Sequence, residues 1–109
     1  MPHHVVFLHQ AELDLIELKK YISANFSKKI WQTTYQNIKK VVNELKKLPE
    51  AGHIPPELES LNLVQYRQVM SGINRIVYEI RGLMIYIHIV CDSRQDMAEI
   101  LFKRLLRPA

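Results

Sequence analysis

The apolar residues change period near residue 49, and that change restricts the architecture more than any other property of the chain. From 11 to 48 they recur every three or four positions; from 64 to 90 they tend to alternate. The first period belongs to helices packed along one stripe, the second to strands buried on one face. Residues 11–26 (AELDLIELKKYISANF) carry the stripe Ala11, Leu15, Leu18, Ile22 and Phe26. Residues 28–48 carry Ile30, Thr34, Ile38, Val41, Leu45 and Leu48, widened by Trp31, Tyr35 and Val42. Ser27 is placed to cap the second helix, and Pro49 with Gly52 to end it. With so short a joint the two helices fold back as an antiparallel hairpin.

Residues 64–70 (VQYRQVM), 73–80 (INRIVYEI) and 84–90 (MIYIHIV) read as strands. Breaks at Ser71-Gly72 and Arg81-Gly82 are short enough to join them as an antiparallel meander. HVVFL at 4–8 is a strand too short to stand alone, so it pairs with a later one. The loop 49–62 keeps neither period, and 94–106 has the spacing of a last helix. The expected fold is α+β: an N-terminal strand, a helical hairpin, a three-stranded meander and a C-terminal helix, in one domain over 1–109.

Alternation also sorts side chains onto faces. Ile76, Tyr78 and Ile80 of the second meander strand, with Ile85, Ile87 and Ile89 of the third, are expected to face the helices. Arg67, Arg75, Tyr86 and His88 then line one open surface, with Arg94 entering from the turn that follows. All six arginines lie in the second half, which carries +3 of the net +4 charge. Cations beside aromatic rings suit a phosphate backbone or an acidic protein; ion pairs on a solvated face are the plainer reading.

Several classes are excluded. A single cysteine, Cys91, cannot form an intrachain disulfide framework or a clustered-cysteine metal site. Cys91 is expected to be a core residue at a strand end. The spacing of His3, His4 and His9 matches no compact metal motif, and three scattered glycines make no phosphate loop. No apolar run approaches the roughly 20 residues of a membrane span, and the start lacks the pattern of a signal peptide, so the expected compartment is the cytoplasm.

Taken together, AELDLIELKKYI at 11–22, LP at 48–49, PEL at 56–58, YRQVMSGINRIVYEI at 66–80 and IYIHIVCDSRQDMAEILFKRLL at 85–106 resemble the RelE/ParE superfamily of bacterial toxins, and within it the ParE branch. The resemblance implies a toxin without a cofactor, neutralised by an antitoxin encoded beside it. The ParE branch implies inhibition of DNA gyrase and blocked replication. Contact with gyrase or DNA would then fall to Arg67, Arg75, Tyr86, His88, Arg94, Lys103, Arg104 and Arg107. Contact with DNA would come mainly through the antitoxin or the gyrase complex. The RelE branch implies an endonuclease acting on messenger RNA in the ribosome, with Arg75, His88 and Arg94 as its catalytic set. The final-helix tyrosine usual there is replaced by the sequence Ile100, Leu101, Phe102. A non-toxic binding module is the alternative of another class. For the antitoxin, Val6 and Leu8 near a sheet edge, with Trp31 and Tyr35 on the second helix, are the expected contacts.

Overall fold

A computed structural model describes residues 2–105. The chain order is β1 (His4–Phe7), α1 (His9–Asn25), α2 (Lys28–Leu45), a 3-10 turn (Pro49–Ala51), the single helical turn α3 (Pro56–Glu59), β2 (Tyr66–Ser71), β3 (Asn74–Arg81), β4 (Met84–Asp92) and α4 (Met97–Leu105). The four strands form one sheet in the order β1-β4-β3-β2. The meander is antiparallel, and β1 lies parallel to β4 at one edge. Gly72 and Gly82, with φ of 60° and 58°, make the two tight turns, where a side chain would be strained.

The hairpin forms as its pattern requires. The Ser27 hydroxyl accepts a hydrogen bond from the Ile30 N–H at 3.0 Å and so caps α2. Ala11, Ile38, Val42 and Leu45 are buried on Ile76, Tyr78, Ile85, Ile87 and Val90 of the sheet. The ends differ from expectation. α1 stops at Asn25, leaving Phe26 exposed edge-on to Tyr21, and α2 stops at Leu45, leaving Leu48 exposed. Tighter bonds from the Lys46 and Lys47 N–H groups to Asn43 and Glu44 end α2 before Pro49 is reached. Within the loop, prolines open two short turns, because their missing N–H is unneeded at a helix start.

The centre of the other face of the sheet is not open. Leu58 of α3 and Met97 and Leu101 of α4 pack on Tyr66, Val77, Ile89 and Cys91, making a second core. Ile89 reaches that core because β4 bulges. Val77 pairs with Ile89 but Tyr78 with Ile87, so His88 is an extra residue. Beyond the bulge every side chain switches face, and Val90 replaces Ile89 under the hairpin.

Candidate functional site

The register separates the arginines that alternation placed together. Arg67 lies opposite Tyr78, on the hairpin face, whereas Arg75 lies opposite Met70 and Cys91, on the second face. The expected surface shared by Arg67, Arg75, Tyr86 and His88 therefore does not exist. Only Arg75, Tyr86 and His88 share a face, and its centre is roofed by α3 and α4. Counting alternation within each strand could not relate one strand's faces to the next.

Arg67 is a structural clamp. Its Nη1 donates to the Gly52 carbonyl at 2.7 Å. Tyr78 fixes the same loop: its hydroxyl donates to the Pro49 carbonyl at 2.6 Å and accepts from the Gly52 N–H at 3.0 Å. Burial pushes the Tyr78 phenol up from its ordinary value.

Arg75 is held by a fork of two 3.2 Å bonds to the Glu57 carboxylate and by Nε donating to Gln68 Oε1 at 2.8 Å. Its bond holds the Glu57 carboxyl below the ordinary range. Gln68 spends its oxygen on Arg75, so its amide nitrogen donates to His53 Nε2 at 2.9 Å. The chain Glu57–Arg75–Gln68–His53 ties α3 and the preceding loop to the sheet.

His88 sits in a different group. Its Nε2 is 3.0 Å from Glu79 Oε1, and a carboxylate accepts, so Nε2 carries the proton. The ring meets Tyr66 edge-on at 5.2 Å. Glu79, only 10% exposed in its side chain, also takes Arg81 at 3.0 Å, and Arg81 lies 5.3 Å over the Tyr86 ring. Burial, followed by the Glu79 charge, raises the Tyr66 phenol.

Arg94 turns back onto Asp92, with Nη2 donating to Oδ2 at 2.6 Å, and this bond lowers the Asp92 carboxyl. Lys103 makes an exposed pair with Glu99 at 3.0 Å. Arg104 joins Asp14 of α1 and donates to the His88 carbonyl at 3.3 Å, while Asp14 accepts from the Val90 N–H at 3.0 Å. Burial is the strongest influence on Asp14 and raises it, against the pull of both partners. Between α1, the end of β4 and α4 lies a cleft of roughly 670 Å³, lined by Leu18, Tyr21, Asp92, Arg94 and Ile100 among others. Phe102 is exposed, and Arg107 lies outside the described residues. Cys91 is buried, its thiol pushed up to about 11 by desolvation, and it is a core residue.

At the opposite edge, Trp31 and Tyr35 stack at 5.4 Å, and Lys39 covers Tyr35. A groove of roughly 600 Å³ runs between α2 and β1, lined by Val5, Phe7, Tyr35 and Val42 with Lys39, Lys40 and Lys46. Val6 is 38% exposed on the other side of β1, opposite Tyr86, and Leu8 is half-buried where α1 begins.

Sequence reasoning missed Arg81 and Glu79. The signal was present: a two-residue turn at Gly82-Leu83 sets Arg81 opposite Met84 and hence Glu79 opposite Tyr86.

A small sheet with a hairpin on one face and a short helix on the other defines a compact α+β fold. Residues 5–97 match the family model described as the ParE toxin of the type II toxin-antitoxin system, parDE, and the chain belongs to that family. It is the toxin component of a type II toxin–antitoxin system, and its partner is an antitoxin. Two solved structures are similar in fold. A chain of the chromosomal ParDE system from P. aeruginosa is 14% identical, with a TM-score of 0.68 over 83% of this chain and 95% of that one. A chain of the toxin–antitoxin complex RelBE2 from Mycobacterium tuberculosis is 20% identical, with a TM-score of 0.59 over 84% and 99%. No curated protein matches the chain. Among the described residues, no helix is long and apolar enough to cross a membrane.

Proposed function

We propose that this toxin acts by binding, with DNA gyrase as its target and blocked replication as the outcome. The reading is carried by the state of the three residues that an RNA-cutting relative would need. Arg75 is forked onto Glu57, His88 is bonded to Glu79, and Arg94 is bonded to Asp92. A phosphate reaching Arg75 would have to displace the Glu57 fork, and His88 is already turned onto the nearly buried Glu79. Arg75 is also only 12% exposed in its side chain. The match to the ParE family supports the same branch.

Purified gyrase, supercoiled plasmid and the toxin together test this. Cleaved-DNA complexes should accumulate, and unchanged supercoiling without cleaved DNA counts against the proposal. Codon-linked cuts in messenger RNA on translating ribosomes would instead assign the nuclease activity.

For the antitoxin, the reading assigns the β1 edge and the groove beside it, with Trp31, Tyr35 and Leu8 as anchors, while Val6 faces the other side of β1. Lys39, Lys40 and Lys46 line the groove among apolar residues, which suits an acidic, partly apolar segment. Replacing Trp31 and Tyr35 with Ala should release the antitoxin while leaving the toxin folded, since both are incompletely buried.

A further inference from the structure

We infer that the toxin meets its target through the uncovered end of the second sheet face, where Arg81 stands over Tyr86, and that what docks there is an acidic protein surface. This rests on the proposal that the toxin acts by binding, though not on which protein it binds.

The second face has two regions. Its centre is roofed by Leu58, Met97 and Leu101. Towards the β3–β4 turn no described element covers it. The register sets Val6 beside Tyr86 on one side and Glu79 beside Tyr86 on the other, so Val6, Tyr86 and Arg81 share this end. Val6 is 38% and the Arg81 side chain 64% exposed, and Leu83 at the turn is exposed as well.

Arg81 is already posed for contact. Glu79, nearly buried and also held by His88, takes one edge of the guanidinium, and the Tyr86 ring supports its face. A fork fixed in this way loses little rotamer freedom on binding. Its other N–H groups match the two oxygens of a carboxylate. Tyr and Arg within an apolar rim are the residue types that dominate protein interfaces. Nucleic acid fits less well, because the patch offers one arginine above a buried acid rather than a row of cations.

The test is induction of wild type, Arg81→Gln and Tyr86→Ala toxins in a bacterial host, with thermal melting and capture by the antitoxin measured alongside. Arg81→Gln keeps much of the stem and removes the charge. It should melt like wild type and still bind antitoxin, yet need about 30-fold more inducer to arrest growth, the size of a hot-spot loss. Tyr86→Ala should act in the same direction. Full toxicity of a folded Arg81→Gln protein would overturn the inference, and so would loss of antitoxin capture. Salt-sensitive binding of a single-stranded oligonucleotide that disappears in Arg81→Gln would also overturn it, assigning the patch to nucleic acid. If the wild type leaves gyrase unaffected while Arg81→Gln relieves growth arrest, the gyrase reading fails and the surface stands.

Discussion

Gly52→Ala should be among the most damaging single-methyl changes in this protein, although Gly52 has an ordinary backbone conformation, φ −77° and ψ 161°. The reason is space. A Cβ there would lie 2.5 Å from the Gln68 carbonyl oxygen and 2.6 Å from the Tyr78 hydroxyl. Neither can yield: Gln68 is in a paired strand, and Tyr78 is fully buried. The loop must move instead, and six hydrogen bonds hold it: Gly52 to Tyr78, Tyr78 to Pro49, Arg67 to Gly52, the reciprocal backbone pair between His53 and Gln68, and their side-chain bond. At about 0.5–1.5 kcal/mol net for each, losing all six would cost about 3–9 kcal/mol, a large fraction of a small domain's stability. Gly72→Ala is the control. It meets nothing within 4 Å and suffers only its positive φ, about 1–2 kcal/mol. Urea denaturation should show a lower midpoint for Gly52→Ala with little change in slope. Tyr78→Phe should lose about 1–3 kcal/mol by stranding the Gly52 N–H. Combined with Gly52→Ala it should lose less than the sum, because one clash has gone. A Gly52→Ala protein within about 1 kcal/mol of wild type would show that the loop is not clamped to the sheet.

The acidic groups give two pH dependences of opposite sign. Glu57 is lowered from its ordinary 4.5, chiefly by Arg75, so its contribution is present above that value and lost as pH falls through the folded pKa; Glu57→Gln should flatten the acid limb of the urea midpoint. Asp14 is raised by burial even with Arg104 present, so Arg104→Met should raise it further. That variant should lose more stability at pH 7 than near pH 4, where the stranded carboxyl takes up a proton, by about 1–3 kcal/mol at the higher pH. Equal losses at both pH values would refute the pairing. Cys91, buried with its thiol at about 11, should resist a thiol reagent at pH 8 until denaturant is added.

The hairpin and the meander were legible because period alone decides them. Ile38, Val42 and Leu45 could face only one way, and Gly72 and Gly82 mark both strand turns. The faces were not legible beyond single strands. The bulge at His88 reverses Ile89 and Val90, and nothing in the alternation of MIYIHIV announces an extra residue. The short helix α3 was hidden for another reason: one turn is too short to display a period, and Leu58 is its only buried residue. The arginines were misjudged because carboxylate partners distant in sequence, Glu57 for Arg75 and Asp14 for Arg104, become neighbours only through the fold.

One extra residue in β4 thus decides both what the chain buries and what it offers. Before the bulge, Ile85 and Ile87 serve the hairpin core while Tyr86 remains on the second face beside Arg81. After it, Ile89 and Cys91 become the floor on which α4 rests. The bulge lies just past the end of β1, where the Leu8 N–H that follows the strand still donates to the Ile87 carbonyl. From there the outer edge of β4 is met by side chains: Arg104 donates to the His88 carbonyl, and Asp14 accepts from the Val90 N–H. An unpaired edge invites another strand, and a charged pair laid across it opposes that. Arg104 therefore has a structural task at the same place where α4 meets α1, whereas Arg81, posed by Glu79 and Tyr86, is the arginine whose removal is expected to separate toxicity from folding.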